Sequence, residues 1–220
     1  MKSWFRHNGL SISVLSTFLV LLVGQCLTGW HSHNEERLEH GVAALSLVEY
    51  LGSGHFVEAT SENWESEFLQ MAAYVLLTVF LRQRGSSESK SFSGDEAVDR
   101  DPRRDRDKPD APYPVRRGGW LLVLYEWSLS LAFFLMFLLA FVGHVVGGLQ
   151  LENDERALDG LAPVTLTDFL SSAEFWFSVS ADWQSEFLAV AAIVVLSIWL
   201  RQRGSPESKP VSAPHAQTGE

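Results

Sequence analysis

Glu67 and Glu186 are the residues of this sequence whose type and placing first suggest chemistry. Each stands just before a long uncharged run, in Asn63-Trp64-Glu65-Ser66-Glu67-Phe68-Leu69 and in Asp182-Trp183-Gln184-Ser185-Glu186-Phe187-Leu188. Two carboxylates that face one another at a membrane repel, and such a pair can serve as an ion or proton site. The plainer reading starts a helix at Asn63 and at Asp182, both good N-caps. Glu67 and Glu186 then fall in the first turn, where the helix dipole favours negative charge. The plainer reading is preferred here.

A second pair is Gln25 and His144, which occupy corresponding places in two other apolar stretches. An imidazole there is a possible haem or metal ligand, but a haem in the membrane normally takes a second axial ligand and no other His lies within a span. A hydrogen bond between Gln25 and His144, or from either to loop backbone, is the expected role. A third set is Asn34, Glu36 and Arg37, matched by Asn153, Glu155 and Arg156. A Glu-Arg or Asn-backbone clamp that ties a loop to its helix end is the reading adopted, with anion or substrate binding as the alternative. Lastly His31, His33, His40 and His55 lie among Glu35, Glu36 and Glu39, a mixture admissible for Zn or Cu. The corresponding positions elsewhere are Gln150, Glu152, Asp159 and Glu174, so the four are read as solvated loop histidines. No metal or cofactor is assigned.

These correspondences come from an internal repeat. A shift of 119 positions, without a gap, superimposes residues 7–90 on 126–209 with about 35 of 84 pairs identical. Leu81 to Gly85 recurs unchanged as Leu200 to Gly204. Each copy holds a longer apolar block, about 10–30 and 127–148, near the 20 or so residues that cross a bilayer as helix. Each also holds a shorter one, Phe68 to Leu81 and Phe187 to Leu200, extended to spans of about 63–81 and 182–200 by an interfacial turn carrying Trp64 or Trp183. The expected fold is an all-α membrane protein: four transmembrane helices as two parallel, same-orientation helical hairpins, with short outer-face helices.

Basic residues set the orientation. The segments before residue 10, from 82 to 117 and after 200 carry 15 Lys and Arg, against one each, Arg37 and Arg156, in the two loops. Both termini are therefore expected in the cytoplasm. Each outer loop carries eight acidic residues, so the net charge of −10 belongs to the outside and excludes nucleic acid as a partner. Residues 1–85 form the first repeat and 118–204 the second. The Pro-rich, mixed-charge segment 86–117 and the tail 205–220 are expected to be disordered, since neither can bury enough apolar surface to offset chain entropy. Residues 118–126 suggest an interfacial helix before the third span. In the loops, Ser46 with Glu49 and Thr165 with Asp168 are spaced as capping boxes that open short helices. Gly85 and Gly204 are expected as helix C-caps. Cys26 is alone, which excludes an internal disulfide, and it is read as a small apolar filler and not as a lipidation site.

The two Asn-Trp-(Glu/Gln)-Ser-Glu-Phe-Leu segments, the paired Leu-Arg-Gln-Arg-Gly-Ser-x-Glu-Ser-Lys ends, and Asp101-Pro102-Arg103-Arg104 with Pro114-Val115-Arg116-Arg117-Gly118-Gly119-Trp120 between them resemble a family of bacterial four-span membrane proteins known only as a domain of unknown function. The resemblance covers essentially the whole chain. It implies a bacterial plasma (inner) membrane protein and brings no catalytic residue, cofactor or substrate. No catalytic triad, paired cysteine or phosphate loop occurs, so an enzyme is not expected. The preferred expectation is a structural or accessory membrane component that meets membrane lipids and either other membrane proteins or further copies of itself. The alternative is a small transporter or channel at the repeat interface.

Overall fold

The computed structural model describes residues 2–92 and 96–219. It is about 70% helix and has no strand among the described residues. The helices are α1 (Lys2–Glu39), α2 (Leu47–Leu51), α3 (Gly54–Phe80), α4 (Tyr113–Arg117), α5 (Gly119–Glu126), α6 (Ser128–Leu158), α7 (Leu166–Ser171) and α8 (Ala173–Leu196), with two 3-10 turns at Ala97–Asp99 and Pro102–Asp105. Ala, Leu, Val and Phe fill the long helices, and the loop between α1 and α2 lacks any run long enough to propagate one.

Three helices among the described residues are long and apolar enough to cross a membrane: Trp4–Glu39, Ser128–Leu158 and Ala173–Leu196. Helix α3, which covers the expected span 63–81 as far as Phe80, is not one of them. Gln70, Tyr74 and Thr78 interrupt its apolar half, and Glu58, Glu62, Glu65 and Glu67 occupy the other. The apolar part of α1 has no buried residue, and among the described residues seven apolar side chains are buried. So little core for so much apolar sequence leaves large hydrophobic helix surfaces for a nonaqueous surrounding to cover.

The helix starts differ from expectation. Helix α3 begins at Gly54 and α8 at Ala173, nine residues ahead of Asn63 and Asp182, so Glu67 and Glu186 lie well inside their helices and outside the reach of an N-terminal dipole. Nothing between 54 and 63 breaks a helix, so the chain propagates through Asn63 instead of starting there. Gly85 and Gly204 are turn residues, each at φ +85, several positions beyond the ends of α3 and α8. The two expected capping boxes both form. Ser46 caps α2 and accepts from the Glu49 N–H while Glu49 bonds back, and Thr165 with Asp168 repeats the arrangement on α7.

The chain divides into two compact units, Met1–Glu62 with Val142–Ser172, and Asn63–Phe141 with Ala173–Glu220. In the second unit the buried apolar residues are Ala72, Val115, Leu122, Ala140, Phe175 and Val179. Described residues at the starts of segments 86–117 and 205–220 form local turns. Gln83 and Gln202 each donate a backbone N–H to a serine hydroxyl six residues on, Ser89 and Ser208, at 2.9 Å. Lys209 is fully buried, its ammonium donating to the carbonyl oxygens of Gly85, His215 and Gln217. The repeated Arg-Gln-Arg-Gly-Ser-x-Glu-Ser-Lys sequence supplies enough side-chain donors and acceptors to build a turn without a hydrophobic core.

Candidate functional site

The first unit has a polar interior. Tyr50 is its only buried apolar residue among those described, while His33, Asn34, Ser53, Thr60 and His144 are all buried. Polar side chains withdrawn from water cost free energy unless they are bonded, so such an interior marks either a fastening or a site.

The fastening is the expected clamp, in its asparagine form. Helix α1 ends in a Schellman motif: Gly41 adopts φ +72, Val42 N–H reaches the Arg37 carbonyl and Gly41 N–H that of Leu38. The chain then doubles back. Leu45 N–H donates to Asn34 Oδ1 at 2.7 Å, and Asn34 Nδ2 donates to the Leu45 carbonyl at 3.0 Å. Arg37 Nε donates to the Ala43 carbonyl at 3.1 Å. The second loop repeats this. Gly160 sits at φ +71, Val164 and Asn153 exchange bonds of 2.7 and 3.3 Å, and Arg156 Nε reaches the Ala162 carbonyl at 2.7 Å. Arg156 also pairs with Glu152 at 3.4 Å, one helical turn back. Neither arginine is held by its neighbouring Glu36 or Glu155 in a bond of this clamp; His40 N–H and Nδ1 both reach the Glu36 carbonyl, and Asp159 N–H that of Glu155.

Each short helix then sets an aromatic ring on a glycine. Tyr50 of α2 lies against Gly29, so closely that a Cβ there would meet its hydroxyl, and Phe169 of α7 lies against Gly148, where a Cβ would come within 2.8 Å of Cζ. The histidines divide. His31 is exposed beside Glu35 at 3.3 Å, and His40 is exposed also. His33 is buried and stacks on His55 with ring centroids 4.8 Å apart, and Tyr50 Oη lies 3.0 Å from His55 Nδ1. His33 and His55 are therefore not solvated loop residues. Burial holds the His55 imidazole below its ordinary value and pushes the Tyr50 phenol above its own.

Gln25 and His144 do not bond to each other. Gln25 Nε2 donates to Thr60 Oγ1 at 3.2 Å, and His144 Nε2 stands 3.8 Å from Glu62 Oε1. Both turn instead to the first part of α3. Around His144, which is 2% exposed, Glu58 and Glu62 complete a group whose ligand atoms all lie within 4.8 Å of one another. Sequence comparison between the copies passed over this group because its carboxylates come from one copy and its imidazole from the other. The usable signal was the i, i+4 spacing of Glu58 and Glu62 together with a lone histidine in an apolar helix.

In the second unit, Glu67 is exposed and lies within electrostatic reach of the half-buried Glu186, whose carbonyl accepts from Gln70 Nε2 at 2.7 Å. A carboxylate the sequence did not single out is better buried: Glu65 is 1% exposed and accepts from Trp183 Nε1 at 3.0 Å.

These features define a class, an all-helical protein with three helices able by length and composition to cross a membrane and with loops fastened by side-chain amides. The chain belongs to the family described as Domain of unknown function (DUF6766), which matches residues 1–220. Neither a curated protein nor a solved structure matches it.

Proposed function

We propose that this chain is a four-span protein of the bacterial plasma membrane with both termini in the cytoplasm, acting as a non-enzymatic structural or accessory component. The observation that carries the reading is the duplicated loop. Both copies spend their retained polar residues on the same Asn–backbone and Arg–backbone bonds, which fasten a capped helix and so favour a structural use of these residues. The distribution of Lys and Arg favours placing these loops outside. Helix α3 supplies the remaining span through Phe68 to Phe80, shortened by its acidic half, which stays at the outer interface.

The experiment has two arms. Reporter fusions after residues 100 and 210 should read cytoplasmic, and those after 42 and 161 external; a fusion after 100 that reads external removes the second span and with it the four-span reading. Crosslinking in native membranes followed by purification should return a reproducible protein partner or a homo-oligomer, and recovery of the uncrosslinked monomer alone overturns the accessory role.

The electrostatic proximity of Glu67 to Glu186 favours one further reading, a small ion-coupled transporter or channel. Proteoliposomes should then show an ion flux that Glu67→Gln with Glu186→Gln abolishes, and flux equal to that of empty vesicles eliminates the idea.

A further inference from the structure

We infer that Glu58, Glu62 and His144 form a binding site for one divalent transition cation, of which Zn²⁺ is the representative. The three ligand atoms, two carboxylate oxygens and one imidazole nitrogen, lie within 4.8 Å of one another. His144 Nε2 and Glu62 Oε1 are 3.8 Å apart. Two ligands of a tetrahedral ion with bonds of about 2.0–2.1 Å stand about 3.3 Å from each other, so the pair needs to close by only a few tenths of an ångström.

The backbone holds the ligands in place. Glu58 and Glu62 are one turn apart on α3 and share a face. Helix α6 meets that face through glycines. A Cβ on Gly147 would strike the Glu58 backbone, within 2.9 Å of its Cα, and one on Gly143 would strike the Ser61 side chain. The absence of side chains at 143 and 147 thus brings His144 down onto the two carboxylates. Charge argues the same way. A dication seated among these groups would meet two opposite charges in a mostly buried setting. Nitrogen and oxygen donors without thiolate suit zinc, manganese or ferrous iron, and three protein ligands leave a position open for exchange.

The site occurs once per chain. At the positions of Glu58 and Glu62 the second copy has Phe177 and Ala181, and at that of His144 the first copy has Gln25.

The test uses the full chain purified in detergent, freed of metal and equilibrated with Zn²⁺ alone. One Zn²⁺ per chain should bind. X-ray absorption at the zinc edge of the wild-type protein should show an oxygen and nitrogen shell with a single imidazole and no sulfur. The variant E58Q/E62Q/H144Q should lose at least the 10- to 100-fold in affinity that removing even an outer partner costs (about that range), while H31A/H40A should bind as the wild type does. No zinc retained by the wild-type chain, a shell with two or more imidazoles, or undiminished binding by the triple variant would each overturn the assignment. Because the absorption measurement needs no substitution, a triple variant that fails to fold does not shelter the proposal.

Discussion

Asn34 and Leu45 exchange two hydrogen bonds, one in each direction, at 3.0 and 2.7 Å. A carboxamide carries one donor group and one acceptor at the spacing of a peptide unit, so it can substitute for a neighbouring strand and satisfy a backbone N–H and C=O together. Only Asn offers both at this reach. Asn153 does the same for Val164, and the two residues stand 119 positions apart in the sequence.

Replacing Asn34 by Asp keeps the shape but removes the donor and turns a negative charge towards the Leu45 carbonyl. A loss of about 1–3 kcal/mol is expected, the usual cost of an unmet buried polar group. Asn153→Asp should cost less, because Asn153 is only half-buried and its donated bond is the longer, at 3.3 Å. Thermal unfolding in detergent of both variants checks the order; equal losses, or none, contradict it.

The glycines of α6 should differ in tolerance. Gly147→Ala drives a methyl into the helical backbone at Val57 and Glu58, which cannot move alone. Gly148→Ala meets the edge of the Phe169 ring, which can swing aside. The first is expected to cost about 1–3 kcal/mol as overpacking and the second clearly less. Comparing their unfolding midpoints decides it, and a greater loss at Gly148 sinks the account.

Acid should weaken the first unit through His55. Its imidazole titrates below the ordinary 6.5 in the folded chain because of burial, so the unfolded chain takes up the proton first. The stabilisation from the neutral ring is complete above the unfolded value and declines as pH falls from 6.5 through the lowered folded value. His55→Gln should flatten the stability profile across that window. An unchanged slope in the variant would mean that this ring is not the group responsible.

The indole of Trp183 should matter for the buried Glu65 more than for its own packing. Trp183→Phe removes the 3.0 Å bond to the carboxylate and should cost about 1–3 kcal/mol. In a Glu65→Leu background the same substitution should be nearly silent, since there is no carboxylate left to satisfy. A double-mutant cycle with no coupling would refute the pairing as an energetic one.

Much of the local structure was legible because its causes lie within a few residues. Ser46 with Glu49 and Thr165 with Asp168 cap their helices as spaced, since a capping box needs nothing beyond four consecutive residues. Helix starts were less legible. Asn63 and Asp182 have good cap chemistry, but the residues before each are helix-compatible, and propagation of an existing helix costs less than nucleation of a new one. Segments 86–117 and 205–220 lack the apolar residues of a core, yet serine hydroxyls bonded to backbone order the turns at their starts.

Sequence alone determined the helical class and the duplicated loops with their retained Asn, Glu and Arg, because periodicity, composition and repetition act over short distances or recur in plain view; the structure chose the asparagine form of the clamp. Only the tertiary structure decided which singular residues meet. His144 and the two glutamates Glu58 and Glu62 belong to different copies, and no spacing along the chain relates them. What joins them is the close approach of α6 to α3 across Gly143 and Gly147, a consequence of side chains that are absent.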